Sequence, residues 1–208
     1  MPWNSYETKF VVIIKKKKSS LNERKNKMTM WKIDPAHSEI NFKVKHLVVS
    51  TVTGHFNQFA ASIETNSEDF SDAKISFEAD VNSISTKNEQ RDTHLKSEDF
   101  FDAQNHSKMT FVSKSVKKIS DHELQVKGDL TIRGIKKEIS LDVIFNGVVA
   151  GFGGSQVSGF EVRGKLNRFD YGLQWNALTE AGGVVVSNEV RIEILAEFNK
   201  VQEAIKAA

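Results

Sequence analysis

The sequence predicts an all-β protein, an antiparallel eight-stranded barrel with one short helical insert between strands. Three observations carry this. Apolar and polar residues alternate with period two in run after run from Trp31 onward, the pattern of strands with one buried face. No βαβ rhythm interrupts the runs, so the sheet is antiparallel. The strands are long and the chain holds only 2 Pro, which favours closure, because a closed sheet has no exposed edges.

Trp31-Lys32-Ile33 forms a short first strand, ended by the Asp34-Pro35 turn signal. Ile40, Phe42, Val44 and His46 then share one parity, with Asn41, Lys43 and Lys45 on the other. Val52, Gly54 and Phe56 alternate, and the pattern resumes out of phase at Phe59, Ala61 and Ile63. The change of phase predicts a bulge or bend, helped by Gly54. Ile75, Phe77, Ala79 and Val81 make the next strand, and Met109 and Phe111 open another. Leu124, Val126, Gly128, Leu130 and Ile132 share one face of a strand that stops at the Arg133-Gly134 turn, and Ile139, Leu141, Val143 and Phe145 follow. The five glycines between Gly147 and Gly159 mark a flexible connection; they have neither Walker nor dinucleotide-loop spacing. Phe160, Val162, Gly164 and Leu166 precede a long last strand with Val190, Ile192, Ile194, Ala196 and Phe198 on one face.

Alternation stops in one place, between Val81–Ile84 and Met109–Val112. The polar text there is competent for helix. Thr86 and Glu89 have capping-box spacing, and Ser97 before Glu98 and Asp99 fits the start of a second turn. Leu95, Phe100 and Phe101 supply apolar anchors. A helical plug fastened by aromatics between strands predicts a lid or end-cap on the barrel.

The 208 residues are ample for one large β domain with a sizeable core. The chain has 14 Phe against 3 Trp and 2 Tyr. Phe carries no polar handle, so this load suits a greasy interior, whether a plain core or a cavity wall. The absence of Cys excludes disulfides, thiolate metal sites and cysteine nucleophiles. The net charge of +2 belongs to residues 1–30, with 8 Lys and Arg against 2 acids; the remainder has 21 basic and 25 acidic residues, a net of −4. That body gives no bulk electrostatic reason to bind nucleic acid.

Residues 1–30 are expected to be a disordered or non-native leader, with Met28 or Met30 as the natural start. The apolar run Phe10–Ile14 is too short for a signal peptide or a membrane span, and Lys15–Lys18 follow it rather than precede it. A cytoplasmic location is expected over a periplasmic one. Residues 31–200 are the barrel domain and 201–208 a tail.

The chain resembles the YceI-like polyisoprenoid-binding proteins. The likeness rests on Trp31-Lys32-Ile33-Asp34-Pro35-Ala36-His37-Ser38 with Ile40, Phe42 and His46; on Val52-Thr53-Gly54-His55-Phe56 with Phe59; on Arg91-Asp92-Thr93-His94-Leu95-Lys96-Ser97 with Asp99-Phe100-Phe101-Asp102; and on Lys127-Gly128-Asp129-Leu130-Thr131-Ile132-Arg133-Gly134. It implies a lipocalin-like barrel with a long apolar tunnel, a polyisoprenoid or other long lipid as ligand, and pairing as homodimers. Asn105-His106-Ser107-Lys108 departs from the family, which usually carries Pro near Ser107, and a changed loop is expected there.

Inward parity assigns the tunnel wall to Phe42, Val44, Phe56, Phe77, Ala79, Phe111, Leu130, Phe145 and Val162. Gly54, Ala79, Gly128 and Gly164 on that parity are expected to leave the space that forms the tunnel. His46, Arg91 and His94 are assigned to a polar mouth. Two roles stay open for Arg91 and His94: hydrogen bonds to a lipid head group, or bracing of the insert through an Arg91–Asp92 pair. No metal site is expected, since His37, His46 and His55 lie nine apart and no His-Glu-x-x-His occurs. No catalytic residue is assigned, since there is no Gly-x-Ser-x-Gly elbow and the acids near Ser97 read as caps. The expected function is binding of a long apolar ligand (polyisoprenoid, isoprenoid quinone or fatty chain) for carriage, storage or protection, with no cofactor beyond that lipid and with peripheral contact to a membrane. The alternative is a solidly packed interaction module that recognises a protein through residues 86–106.

Overall fold

The computed structural model describes residues 28–177 and 185–202. Most of the leader and most of the tail therefore lie outside the described residues. The described residues hold eleven strands: β1 (Thr29–Ile33), β2 (Glu39–His46), β3 (Ser50–Phe56), β4 (Phe59–Thr65), β5 (Lys74–Asp80), β6 (Ile84–Ser85), β7 (Lys108–Lys118), β8 (Glu123–Ile132), β9 (Ile135–Ala150), β10 (Gln156–Asn167) and β11 (Val186–Lys200). Among the described residues one α-helix, α1 (Glu89–Lys96), sits between β6 and β7. β1 begins two residues inside the stretch read as leader, with Thr29 opposite Thr65.

These segments make eight barrel strands, because three of the eight are interrupted. β1 and β2 run in succession along β11, with Ile33 opposite Phe198 and Glu39 opposite Leu195. The break between them is a 3-10 turn over Pro35–His37, capped by the Asp34 carboxylate on the Ala36 N–H. β3 pairs with β2, and β4 with β1. Likewise β5 pairs with β4 and β6 with β3, separated by a 3-10 turn at Val81–Ser83. From β7 to β11 each strand pairs antiparallel with the next. The return of β11 to β1 and β2 closes an up-and-down ring.

The phase change after Phe56 is a break at Asn57–Gln58, where the Asn57 N–H donates to the Ser83 carbonyl and the Gln58 N–H to the Ser83 hydroxyl. Gly54 plays no part in the bend. It stands opposite Phe42, and a Cβ added there would fall within the Phe42 ring.

Inward residues fill the lower half of the barrel. Phe70, on the loop between β4 and β5, packs its ring against Trp31, Phe145 and Phe160 at centroid distances of 5.4, 5.2 and 5.1 Å. Asp72 ties that loop down: its carboxylate accepts from the Thr65 hydroxyl and from the N–H groups of Asn66 and Ser67. A second apolar cluster, Ile40, Phe56, Ala79 and Ile84, lies where the strands are interrupted.

Candidate functional site

Above the Phe70 floor the barrel encloses a cavity of about 230 Å³. An engineered apolar cavity of about 150 Å³ stays dry and takes up benzene, so this space suits the atoms of a slender chain. All its lining side chains are apolar except Asn41 and Arg168. At the floor the lining residues Phe70, Ala73, Leu124 and Phe160 are buried; at the other end Phe42, Val44, Val186 and Val190 are only half-buried. The cavity is thus blind at the floor and approached from the end carrying the β2–β3 hairpin and α1.

Of the residues assigned to the tunnel, Phe42, Val44, Phe56, Phe77, Phe111, Leu130 and Val162 line it. Ala79 and Phe145 do not. Ala79 is buried against Ile40, Phe56 and Ile84 at the level of the interruptions, and Phe145 lies in the floor, stacked on Phe160 at 5.5 Å. The inward glycines are also not empty space. A Cβ at Gly128 would meet the Phe111 ring at 2.5 Å, and one at Gly164 would meet Leu141 Cδ2 at 2.5 Å. Each glycine lets a neighbouring side chain lie flat against the wall. The lumen stays open because Phe42, Phe111 and Leu141 are laid aside into these notches.

The insert forms the lid. Asn88, rather than Thr86, caps α1, its side chain accepting from the Arg91 N–H at 2.9 Å. Ser97 ends the helix instead of starting a second one. Leu95, Phe100 and Phe101 turn into the cavity, with Phe101 edge-on to Phe56 at 6.2 Å. Leu173, from the loop after β10, completes this end of the lining.

The residues assigned to a polar mouth stay outside the cavity. Arg91 folds back on Thr86, Nε donating to its hydroxyl at 2.7 Å and Nη2 to its carbonyl at 2.9 Å. Asp92 accepts from the same hydroxyl and from the Thr86 N–H. Arg91 and Asp92 therefore brace the insert through Thr86 and not by pairing with each other. His94 pairs with Asp99 at 2.8 Å and sets its ring edge-on to Phe100 and Trp175. His46 ends β2 opposite Ser50 and Val186, half-buried, with no place in the lining.

Arg168 had no place in the sequence reading. It is 3% exposed, and burial pulls its pKa down. Its guanidinium donates to the carbonyls of Leu173, Trp175, Val186 and Ser187. It clasps the loop after β10 to the start of β11, beside the mouth. The signal in the sequence was Arg168-Phe169-Asp170-Tyr171 between the capping Asn167 and the left-handed Gly172. Phe70 was missed too; its signal was a lone aromatic in a polar loop.

Among the described residues, Asp34, His37 and Glu197 are a group with the donors for a metal ion, on the outside of the barrel. His37 Nδ1 lies 3.1 Å from Asp34 and 3.8 Å from Glu197. The hydrogen bond with Asp34 raises the pKa of His37 and lowers that of Asp34. Both carboxylates face the same ring nitrogen, and the turn is fastened to β11 by the Asp34 N–H donating to the Glu197 carbonyl and the Asn199 amide donating to the Asp34 carboxylate.

The family model for YceI-like domains matches residues 31–198. A UPF0312 protein of Staphylococcus aureus (strain MSSA476) is 47% identical over 173 residues, which are 83% of this chain and 98% of that protein. The crystal structure of a Campylobacter jejuni YceI protein superposes with a TM-score of 0.66 at 33% identity, covering 81% of this chain and 96% of the other. A polyisoprenoid-binding domain from Saccharophagus degradans has a TM-score of 0.61 at 16% identity over 82% and 98% of the two chains, a likeness of fold.

Proposed function

Because the chain belongs to the YceI-like domain family, we propose that its barrel binds one long apolar molecule, a polyisoprenoid, an isoprenoid quinone or a fatty chain, for carriage, storage or protection. The observation that carries this reading is the blind cavity with apolar walls under a lid whose Leu95, Phe100 and Phe101 face inward. The polyisoprenoid binding named for the Saccharophagus degradans domain, which shares the fold, supports it. The driving force is hydrophobic, at roughly 0.8 kcal/mol per buried methylene. Such a protein does no chemistry on its cargo. The interaction-module alternative loses support because the apolar side of residues 86–106 is turned into the barrel and is not offered to a partner.

The test is native mass spectrometry of protein purified without detergent, then solvent extraction of whatever is bound. Titration with chains of increasing length follows. Affinity is expected to rise by about 0.8 kcal/mol per added methylene and then level off where the cavity is full. An empty protein that also refuses added prenyl and fatty chains overturns the reading.

A further inference from the structure

We propose that the tip of the β2–β3 hairpin, Leu47-Val48-Val49, docks the mouth of the barrel onto a lipid bilayer. This rests on the reading of the cavity as a site for an apolar chain, and adds where that chain is exchanged. The three residues are 40%, 77% and 85% exposed, consecutive and apolar. They stand at the rim. Phe42 and Val44 of the same strand line the cavity, and the Leu47 N–H donates to the carbonyl of Val185, next to lining residue Val186. His46 separates Val44 from Leu47, so the tip sets the end of the apolar lining only a few residues from a docked bilayer, and a chain passes between them by a short path.

The turn keeps these side chains against local preference. Leu47 and Val48 have φ of +50° and +65°. Two successive left-handed residues favour Asn-Gly, and a β-branched residue there is an outlier. The charge around the tip fits anionic head groups. From Ile40 to Phe56 the hairpin holds no Asp or Glu, and Lys43, Lys45 and His46 lie toward the tip, whereas His55 lies at the far end opposite Asn41. Lys43 pairs with Glu193 of β11, whereas the Lys45 ammonium has no carboxylate partner among the described residues. Apolar residues with cations beside them are what holds a protein segment in a membrane interface.

The test is flotation of the full chain with vesicles of phosphatidylcholine containing about three-tenths phosphatidylglycerol, against vesicles of phosphatidylcholine alone. The variant Leu47→Asn/Val48→Gly/Val49→Thr removes the apolar tip while supplying the residues the turn prefers, so it is expected to fold at least as well. Wild type is expected to float, more with the anionic vesicles and less at high salt, and the variant to partition at least about tenfold less. A fluorescent fatty chain delivered from cyclodextrin is a separate arm, in which both proteins are expected to load equally. Equal flotation of variant and wild type overturns the docking proposal, as does a wild type that ignores both vesicles. If such a wild type also loses a dimer on the triple substitution, the tip belongs to a second copy instead. Failure of both proteins to load the delivered chain overturns the cargo reading on which the proposal rests, whatever the flotation arm shows.

Discussion

At the scale of single residues, the width of the lumen is set by glycine notches. At Gly54 the group in the way of a Cβ is the far end of the Phe42 side chain, which can swing. At Gly128 it is the Phe111 ring and also the Val112 carbonyl at 2.5 Å, which cannot. Gly54→Ala is therefore expected to fold, at a cost of about 1 kcal/mol, and to take up less of a thick prenyl chain because the displaced ring enters the lumen. Gly128→Ala should cost about 1–3 kcal/mol; urea unfolding with a prenyl-chain titration checks both. The floor is pH-sensitive through Asp72. Burial pushes its pKa up, but the hydrogen bonds from Thr65, Asn66 and Ser67 outweigh this and hold it at about 2. A depressed carboxyl stabilises the fold above its unfolded pKa, about 3.9, and that stability is lost as pH falls towards 2. Asp72→Asn is expected to lower Tm at neutral pH and to flatten its fall between pH of about 4 and 2, read by thermal melts across that range. Alternation made Phe42, Val44, Phe56, Phe77, Phe111, Leu130 and Val162 legible as wall. It misplaced Ala79 and Phe145 because a period of two tells which face a residue takes and nothing of its height along the barrel.

At the scale of elements, the insert is held by polar contacts and closed by apolar ones. Thr86 is buried, and Arg91 and Asp92 converge on it. Arg91→Ala is expected to loosen the insert, seen as faster amide hydrogen exchange over α1, while leaving the order of preference among an alcohol, an acid and an ester of one chain unchanged. A changed order would return Arg91 to the mouth. The insert was legible as a lid because Leu95, Phe100 and Phe101 are apolar anchors in polar text. Its internal wiring was not, because Thr86 and Glu89 match the capping-box spacing while Asn88 supplies the cap. Spacing alone does not choose between oxygen acceptors two residues apart. The capped turn around Arg168 left a signal in Asn167 and Gly172, but its clasp did not: the partners are backbone carbonyls, which leave no trace in residue identity.

At the scale of the whole molecule, closure and strand number were legible from long alternating runs with few breakers. The alignment of the interruptions was not. The 3-10 turn after Asp34, the break at Asn57–Gln58 and the turn at Val81–Ser83 fall on adjacent strands, and only the pairing of those strands brings them side by side. They divide the barrel into a tight lower storey with Phe70 at its centre and a looser upper one with the lid. The up-and-down order also makes every strand a neighbour of the next in sequence, and the one long-range pairing joins the first strands to the last. Trp31 lies opposite Lys200, and the Val201 N–H donates to the Met30 carbonyl at 2.8 Å. The barrel is thus a cycle whose order survives a change of starting point. Folding by pairing of sequence neighbours meets longer closures across the insert between β5 and β7 and across the loop between β10 and β11, and the seam between β1, β2 and β11 closes the longest loop of all.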